Sequence, residues 1–197
     1  MSSIGDRLGN LWWETRLGIA TRGVAPVDHP DAAHYATMAY SSIWPVLRHL
    51  ALGRQDVFVD IGSGKGRVLC CAARLPVDRV IGVDLSPERT AEATENVRRL
   101  RGRHAPIEAV TALAQEYDYS DVTAVFLFDP FGADTLNAVL ERIAKDRAGR
   151  PVRFAYANAT LDSVFRAQTW LEPGEFWRRA ETGLEHDVAF YRSRDTN

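Results

Sequence analysis

Cysteine is scarce, and its placement sets aside two classes of protein. The 197-residue chain has two, Cys70 and Cys71. Neighbours on one helix do not form a structural disulfide, and two do not make a zinc site. Their expected role is as small buried residues in a reduced, cytoplasmic setting. Charge of one sign is not in excess: Lys plus Arg number 24 against 26 for Asp plus Glu. That balance withholds the basic footprint of a nucleic-acid binder. No apolar run is long enough to span a bilayer, and the N-terminus has no signal-peptide pattern. His, Cys and carboxylates nowhere recur at metal-ligand spacing, so no metal is expected. What is present, 46% hydrophobic residues, suits one globular domain with a full core.

The richest stretch is VFVDIGSGKGRVLC, Val57 to Cys70, followed by RVIGVDLSPE. Apolar residues ending in Asp60 predict a buried strand. Gly62, Gly64 and Gly66 predict a tight turn, and RVLCCAARL the helix leaving it. Glycine there lets a ligand approach without a Cβ in the way. The first amides of the helix are unpaired and favour negative charge. The second strand ends in Asp84, a carboxylate placed to accept bonds from both hydroxyls of a ribose. Ser86 before Pro87 is a good helix N-cap and first-turn pair.

Apolar strands near 56–60, 79–84, 106–110, 123–128 and 152–156 alternate with helices near 66–74, 87–102, 133–147 and 160–168. This alternation predicts a parallel sheet covered on both faces, a doubly wound α/β fold. GEFWRRAETG and HDVAFYRSR read as two closing strands joined by a turn. The first fifty residues differ. They predict a helix within IGDRLGNLWWETRLGIATRG, a break at GVAPVDHPD, and further helix in DAAHYATMAYSSIWPVLRHLAL, in two pieces about Pro45. The domain reading is a helical lid over 1–50 and a cofactor-binding core over 51–197.

The order Asp60-Ile61-Gly62-Ser63-Gly64-Lys65-Gly66 differs from the Gly-x-Gly-x-x-Gly of dinucleotide-binding enzymes. It resembles the first motif of the class I S-adenosylmethionine-dependent methyltransferases. GVDLS and VFLFDPFG (Val125 to Gly132) resemble their later motifs, in the right order on the right elements. Within that class the Asp-Pro-Phe-Gly of the fourth motif is similar to a small bacterial type, distantly like the non-SET histone-lysine enzymes. The resemblance implies a Rossmann-like, seven-stranded, mostly parallel sheet with a C-terminal antiparallel hairpin. It implies S-adenosylmethionine as cofactor and S-adenosylhomocysteine as product.

It also implies roles for residues. Asp60 and the backbone of Gly62, Ser63 and Gly64 hold the methionine end, with Gly66 serving the loop or helix packing. Asp84 takes the ribose and Leu85 lies against adenine. The third strand has no carboxylate at the usual adenine position, which leaves the Ala114 amide and Gln115, with Glu116 beside them. Asp129 and Pro130 stand near the transferred methyl, Asp129 to orient the cofactor ammonium, take a substrate proton, or cap the helix from Ala133. His34, Tyr35 and Tyr40 are further candidates for a base or positioning group. His29, His49, His104 and His186 read as surface or satisfied residues. Lys65 is read as an ordinary exposed charge; Arg67 is either another or a prop for a neighbouring loop. One of the adjacent indoles of Trp12 and Trp13 is expected to meet solvent, a partner or the pocket mouth.

The expectation is methyl transfer to a nucleophilic N, O or C atom of a small organic acceptor. The alternatives are a protein or peptide lysine acceptor, or an accessory protein that binds the cofactor without transfer. No nucleic-acid or membrane partner is expected, and the chain is expected to be a monomer or homodimer.

Overall fold

The computed structural model describes residues 4–22 and 37–194. A seven-stranded sheet lies at its centre, formed by β1 (Val57–Ile61), β2 (Arg79–Asp84), β3 (Ile107–Thr111), β4 (Ala124–Phe128), β5 (Arg153–Ala157), β6 (Leu171–Trp177) and β7 (Val188–Ser193). The helices are α1 (Ile4–Leu17), α2 (Tyr40–His49), α3 (Arg67–Ala72), α4 (Pro87–Arg99), α5 (Ala133–Asp146), α6 (Asp162–Arg166) and α7 (Arg179–Thr182). The strand order is β3-β2-β1-β4-β5-β7-β6. Strands β1 to β5 are parallel, whereas β7 runs antiparallel to both β5 and β6. This is the doubly wound α/β sheet that the alternating pattern predicts, closed by its antiparallel hairpin.

Each central strand is buried on both faces, so its sequence is a nearly unbroken apolar run. Alternation assigns side chains to two cores. Phe58, Val80, Phe126 and Ala155 face α1, α2 and α3, while Val59, Ile81, Val125 and Phe154 face α5 and α6. Asp60 and Asp84 share the phase of Phe58 and Val80, and so emerge on the first of these faces. Gly82, paired in register with Asp60, leaves the space there: a Cβ on it would lie 2.5 Å from Leu69 and 2.7 Å from Ser63 Oγ.

Two expectations are corrected. Helix α2 runs unbroken through Pro45. The carbonyl to which Pro45 cannot donate belongs to Ser41, an exposed residue open to solvent. In the C-terminal hairpin, RAET is the short helix α7 rather than strand, started by the Arg179 amide donating to Asp187 at 2.8 Å and ended by Gly183 at φ 71°. The preceding strand accordingly begins earlier, at Leu171, and carries a register shift between Pro173 and Phe176.

The N-terminal helices share the core instead of resting on it. Leu17, Tyr40, Ile43, Val46 and Leu47 are buried with Phe58 and Leu69. Trp13 packs between Tyr40 and Trp44, at ring separations of 5.9 and 5.2 Å, and Trp12 is 55% exposed. The buried Arg67 fastens the junction. Its guanidinium donates to Thr21 Oγ1 (2.7 Å), the Met38 carbonyl (3.0 Å) and Glu14 Oε1 (3.3 Å), and lies over the Tyr40 ring. Asn96 of α4 adds a second tie, bonding both backbone groups of Ala20 and the Lys65 carbonyl.

Candidate functional site at the switch point of the sheet

The strand order reverses between β1 and β4, and open α/β sheets bind ligands beyond the carboxyl ends of strands at that point. Asp60 is the penultimate residue of β1 there, followed by the buried Ile61. Gly62, Gly64 and Gly66 follow at φ 77°, 52° and 80°. Gly62 also meets the opposite loop: a Cβ on it would lie 2.6 Å from Pro130 Cβ. The glycine loop and the Asp129-Pro130 loop thus pack directly on each other.

Asp60 is 3% exposed, and no described residue donates a hydrogen bond to its carboxylate. Burial, then the neighbouring charge of Asp84, raises its pKa well above the usual carboxylate range. Ser63 Oγ, also buried, has no partner among the described residues. A buried carboxylate and hydroxyl without donors beside a glycine loop fit a ligand carrying an ammonium group.

A carboxyl whose pKa is higher folded than unfolded holds its proton more tightly when folded. Its contribution to stability therefore declines as pH rises from the unfolded carboxyl pKa through the folded one. Asp60→Asn removes the uncompensated charge and should raise the ligand-free midpoint at neutral pH by about 2–8 °C, for about 1–2 kcal/mol. Scanning calorimetry against pH checks this: an unchanged midpoint would place a donor on Asp60.

Asp84 is 7% exposed and already engaged on one side. Oδ2 accepts from the Gly64 amide at 2.8 Å and Oδ1 from the Ser86 amide at 2.9 Å. It ties the glycine loop to the end of β2, and each oxygen retains a further lone pair. Ser86 is the N-cap of α4, as expected, accepting from the Arg89 amide. Leu85 is half-buried beside them. On the third-strand side, Ala114 is buried with its carbonyl taken by Tyr119 Oη at 2.8 Å; Gln115 is half-buried and Glu116 exposed. Lys65 pairs with Glu92 at 3.1 Å.

Asp129 is not a helix cap: Gly132 occupies the N-cap of α5. Its carboxylate instead accepts from Tyr156 Oη (2.6 Å), Asn158 Nδ2 (3.0 Å) and Thr160 Oγ1 (2.9 Å to Oδ2). Three donors on about four lone-pair sites leave it little capacity to accept a substrate proton. Asn158 in turn meets His186 Nδ1 at 3.1 Å. His186, read from sequence as a surface or satisfied residue, therefore belongs to this network. The sequence shows Tyr156, Asn158 and Thr160 as polar residues at the end of a predicted strand. It carries no sign that His186, from the β6–β7 connection, joins them.

Tyr40 lies in the core, fully buried, with its pKa raised by burial above all. That environment suits packing against Trp13 and Arg67. His34 and Tyr35 fall outside the described residues, as does His29. Cys70 and Cys71 are free and buried, and burial pushes the Cys70 thiol up to about 12. Among the described residues no group of three or more His, Cys, Asp or Glu could hold a metal ion. No helix among them is long and apolar enough to cross a membrane.

Comparison with known proteins identifies the architecture. A crystal structure of an RNA methyltransferase from Salinibacter ruber in complex with S-adenosylhomocysteine superposes with a TM-score of 0.55 and 22% identity. The match covers 80% of this chain and 92% of that one. The fold is that of the class I S-adenosylmethionine-dependent methyltransferases. Residues 58–148 match the family described as "Methyltransferase domain". Two curated proteins are also similar. A protein-lysine N-methyltransferase of Saccharolobus islandicus is 31% identical over 78 residues, 39% of this chain and 48% of that protein. The H3 lysine-79 specific histone-lysine N-methyltransferase of Drosophila melanogaster is 32% identical over 68 residues, 33% of this chain and 4% of that protein. The chain thus spans about half the length of one curated relative and a small part of the other.

Proposed function

We propose that the protein binds S-adenosylmethionine at the switch point and transfers its methyl group to an N, O or C atom of a small organic acceptor. The observation that carries the cofactor assignment is the buried Asp60 carboxylate without a donor beside the glycine loop. In this reading Asp60, Gly62, Ser63, Gly64 and Gly66 enclose the methionine end. Asp84 accepts from the ribose hydroxyls, Leu85 lies along adenine, and Ala114 and Gln115 border its rim. Asp129 and Pro130 close the site near the methyl. The sulfonium supplies an activated methyl, and the protein's work is alignment of the acceptor, worth about 7–11 kcal/mol of barrier. No metal enters the reading.

The small-acceptor assignment rests on the near balance of basic and acidic residues, 24 against 26, and on the aromatic N-terminal segment, of which Trp12 is exposed. A lysine side chain of a protein is the second reading, supported by the names of both curated relatives. A binding protein without transfer is separated from either by turnover.

Calorimetric titration with S-adenosylhomocysteine and with NAD tests the cofactor. Micromolar binding of the former alone is expected, and binding of NAD alone would overturn the assignment. Asp60→Asn, more stable when empty, should bind S-adenosylhomocysteine at least tenfold more weakly, since it loses the charge opposite the ammonium. Radiolabelled methyl transfer to a panel of amines, phenols, lysine peptides and RNA then sorts the acceptor class.

A further inference from the structure

We propose that His186 Nε2 takes the acceptor's proton during methyl transfer and that Asn158 is the positioning residue that sets its tautomer; this rests on the methyltransferase reading above. The chain of bonds begins at Asp129. An ionised carboxylate only accepts, so the Asn158 group 3.0 Å from its Oδ2 is the amide NH2, and the amide orientation is fixed. Asn158 Oδ1 must then face His186, 3.1 Å from Nδ1. An amide oxygen only accepts, so Nδ1 carries the proton and Nε2 of the neutral imidazole holds the lone pair. No described residue bonds Nε2. The chain Asp129–Asn158–His186 orients a base in the manner of a carboxylate behind an imidazole, with an amide inserted between them.

The backbone marks the same place. Asp129 and Asn158 follow the ends of the adjacent strands β4 and β5, whose last residues Phe128 and Ala157 pair in register. Both have left-handed φ, 42° and 53°, in residues with a Cβ. Such conformations cost about 1–3 kcal/mol each and cluster at functional sites. The His186 ring stands edge-on to Phe128 at 5.0 Å. Pro130, two residues on, abuts the glycine loop, so the imidazole borders the edge where the methyl is offered.

The step balances. The acceptor's lone pair forms the bond to the methyl carbon, and the carbon–sulfur bond breaks with its electrons left on sulfur as a neutral thioether. The acceptor's proton passes to Nε2 and then to water. His186 is neutral at physiological pH: burial lowers its pKa below the ordinary value, against the raising charges of Glu185, Asp129 and Asp187 and with the lowering charge of Arg179. No other described base is as well placed, since the Asp129 carboxylate is taken by three donors and Tyr156 Oη donates to it.

Two readouts test this. Long-range nitrogen-15 NMR of the cofactor-free protein should show His186 protonated on Nδ1, titrating below the ordinary histidine range, with Asn158→Ala abolishing the tautomer preference. His186→Gln should bind S-adenosylhomocysteine within about twofold of wild type. It should lower kcat about 10²–10⁴-fold on tyramine or a histone H3 peptide, whichever is turned over, with KM little changed and the acidic limb of the pH profile lost. An Nε2-protonated His186 in the wild type, or a His186→Gln enzyme with wild-type kcat, overturns the proposal. Failure of the wild type to bind S-adenosylhomocysteine would instead overturn the cofactor reading, which the tautomer measurement does not touch.

Discussion

Asp84→Ala is expected to weaken S-adenosylhomocysteine binding by at least tenfold, and by about a hundredfold if both ribose hydroxyls bond the carboxylate. Each such charge-assisted bond is worth about 1.5–3 kcal/mol, so the loss of one already gives tenfold. A second effect acts in the same direction. The Gly64 and Ser86 amides now donate to Asp84, and with alanine both lose their acceptor. The glycine loop is then less well held before the ligand arrives, and ordering it is added to the cost of binding. Asp84→Asn keeps one accepting oxygen and should fall between wild type and alanine. Titration calorimetry on all three proteins, with thermal unfolding alongside, separates lost contacts from lost fold. An unchanged Kd in a folded Asp84→Ala protein would remove Asp84 from the cofactor site.

The largest effect on stability is expected at Glu14. Its carboxylate, 3% exposed, accepts from the Thr21 amide and hydroxyl (2.9 Å each), from Arg22 Nε (2.6 Å) and from Arg67. Removing one partner of a buried ion pair leaves the other charge uncompensated, at about 3–5 kcal/mol. Glu14→Ala should therefore lower the midpoint by about 10 °C or more. Replacing both partners, Glu14→Leu with Arg67→Met, should recover much of the loss, because the uncompensated guanidinium is gone. If the double variant is as unstable as the sum of the single ones, packing rather than charge holds the junction. Since Arg67 is the first residue of α3 after Gly66, Glu14→Ala should also weaken S-adenosylhomocysteine binding several-fold. Deleting residues 1–30 removes Glu14, Leu17 and Thr21 together, so such a variant would report on the core as much as on the acceptor.

The two interactions differ in how far the sequence discloses them. Asp84 was legible because local rules place it: an apolar run fixes the strand, and the strand end fixes the carboxylate. The same holds for Asp60, the glycines and the Ser86 cap, all within thirty residues of one another. The central strands were legible for a related reason. Burial on both faces demands continuous apolar residues, and nothing else in a chain of this kind does. Glu14, Arg67 and Thr21 come together across 53 residues, and charged residues carry no periodicity that announces burial. His186 reaches Asn158 only through the connection of an antiparallel pair, whose length and internal helix depend on Asp187 and Gly183. Pro45 misled because the general rule against proline in helices yields where the freed carbonyl can meet water. In each case the missing information is tertiary.

The edge strand β6 has a consequence for self-association. It carries Pro173, which lacks a donor, a register shift before Phe176, and three consecutive exposed residues from Pro173 to Glu175. Together they interrupt the row of outward amides and carbonyls that another strand would need to extend the sheet. A second copy cannot zip onto this border as a continuous eighth strand, so the sheet stops growing at β6.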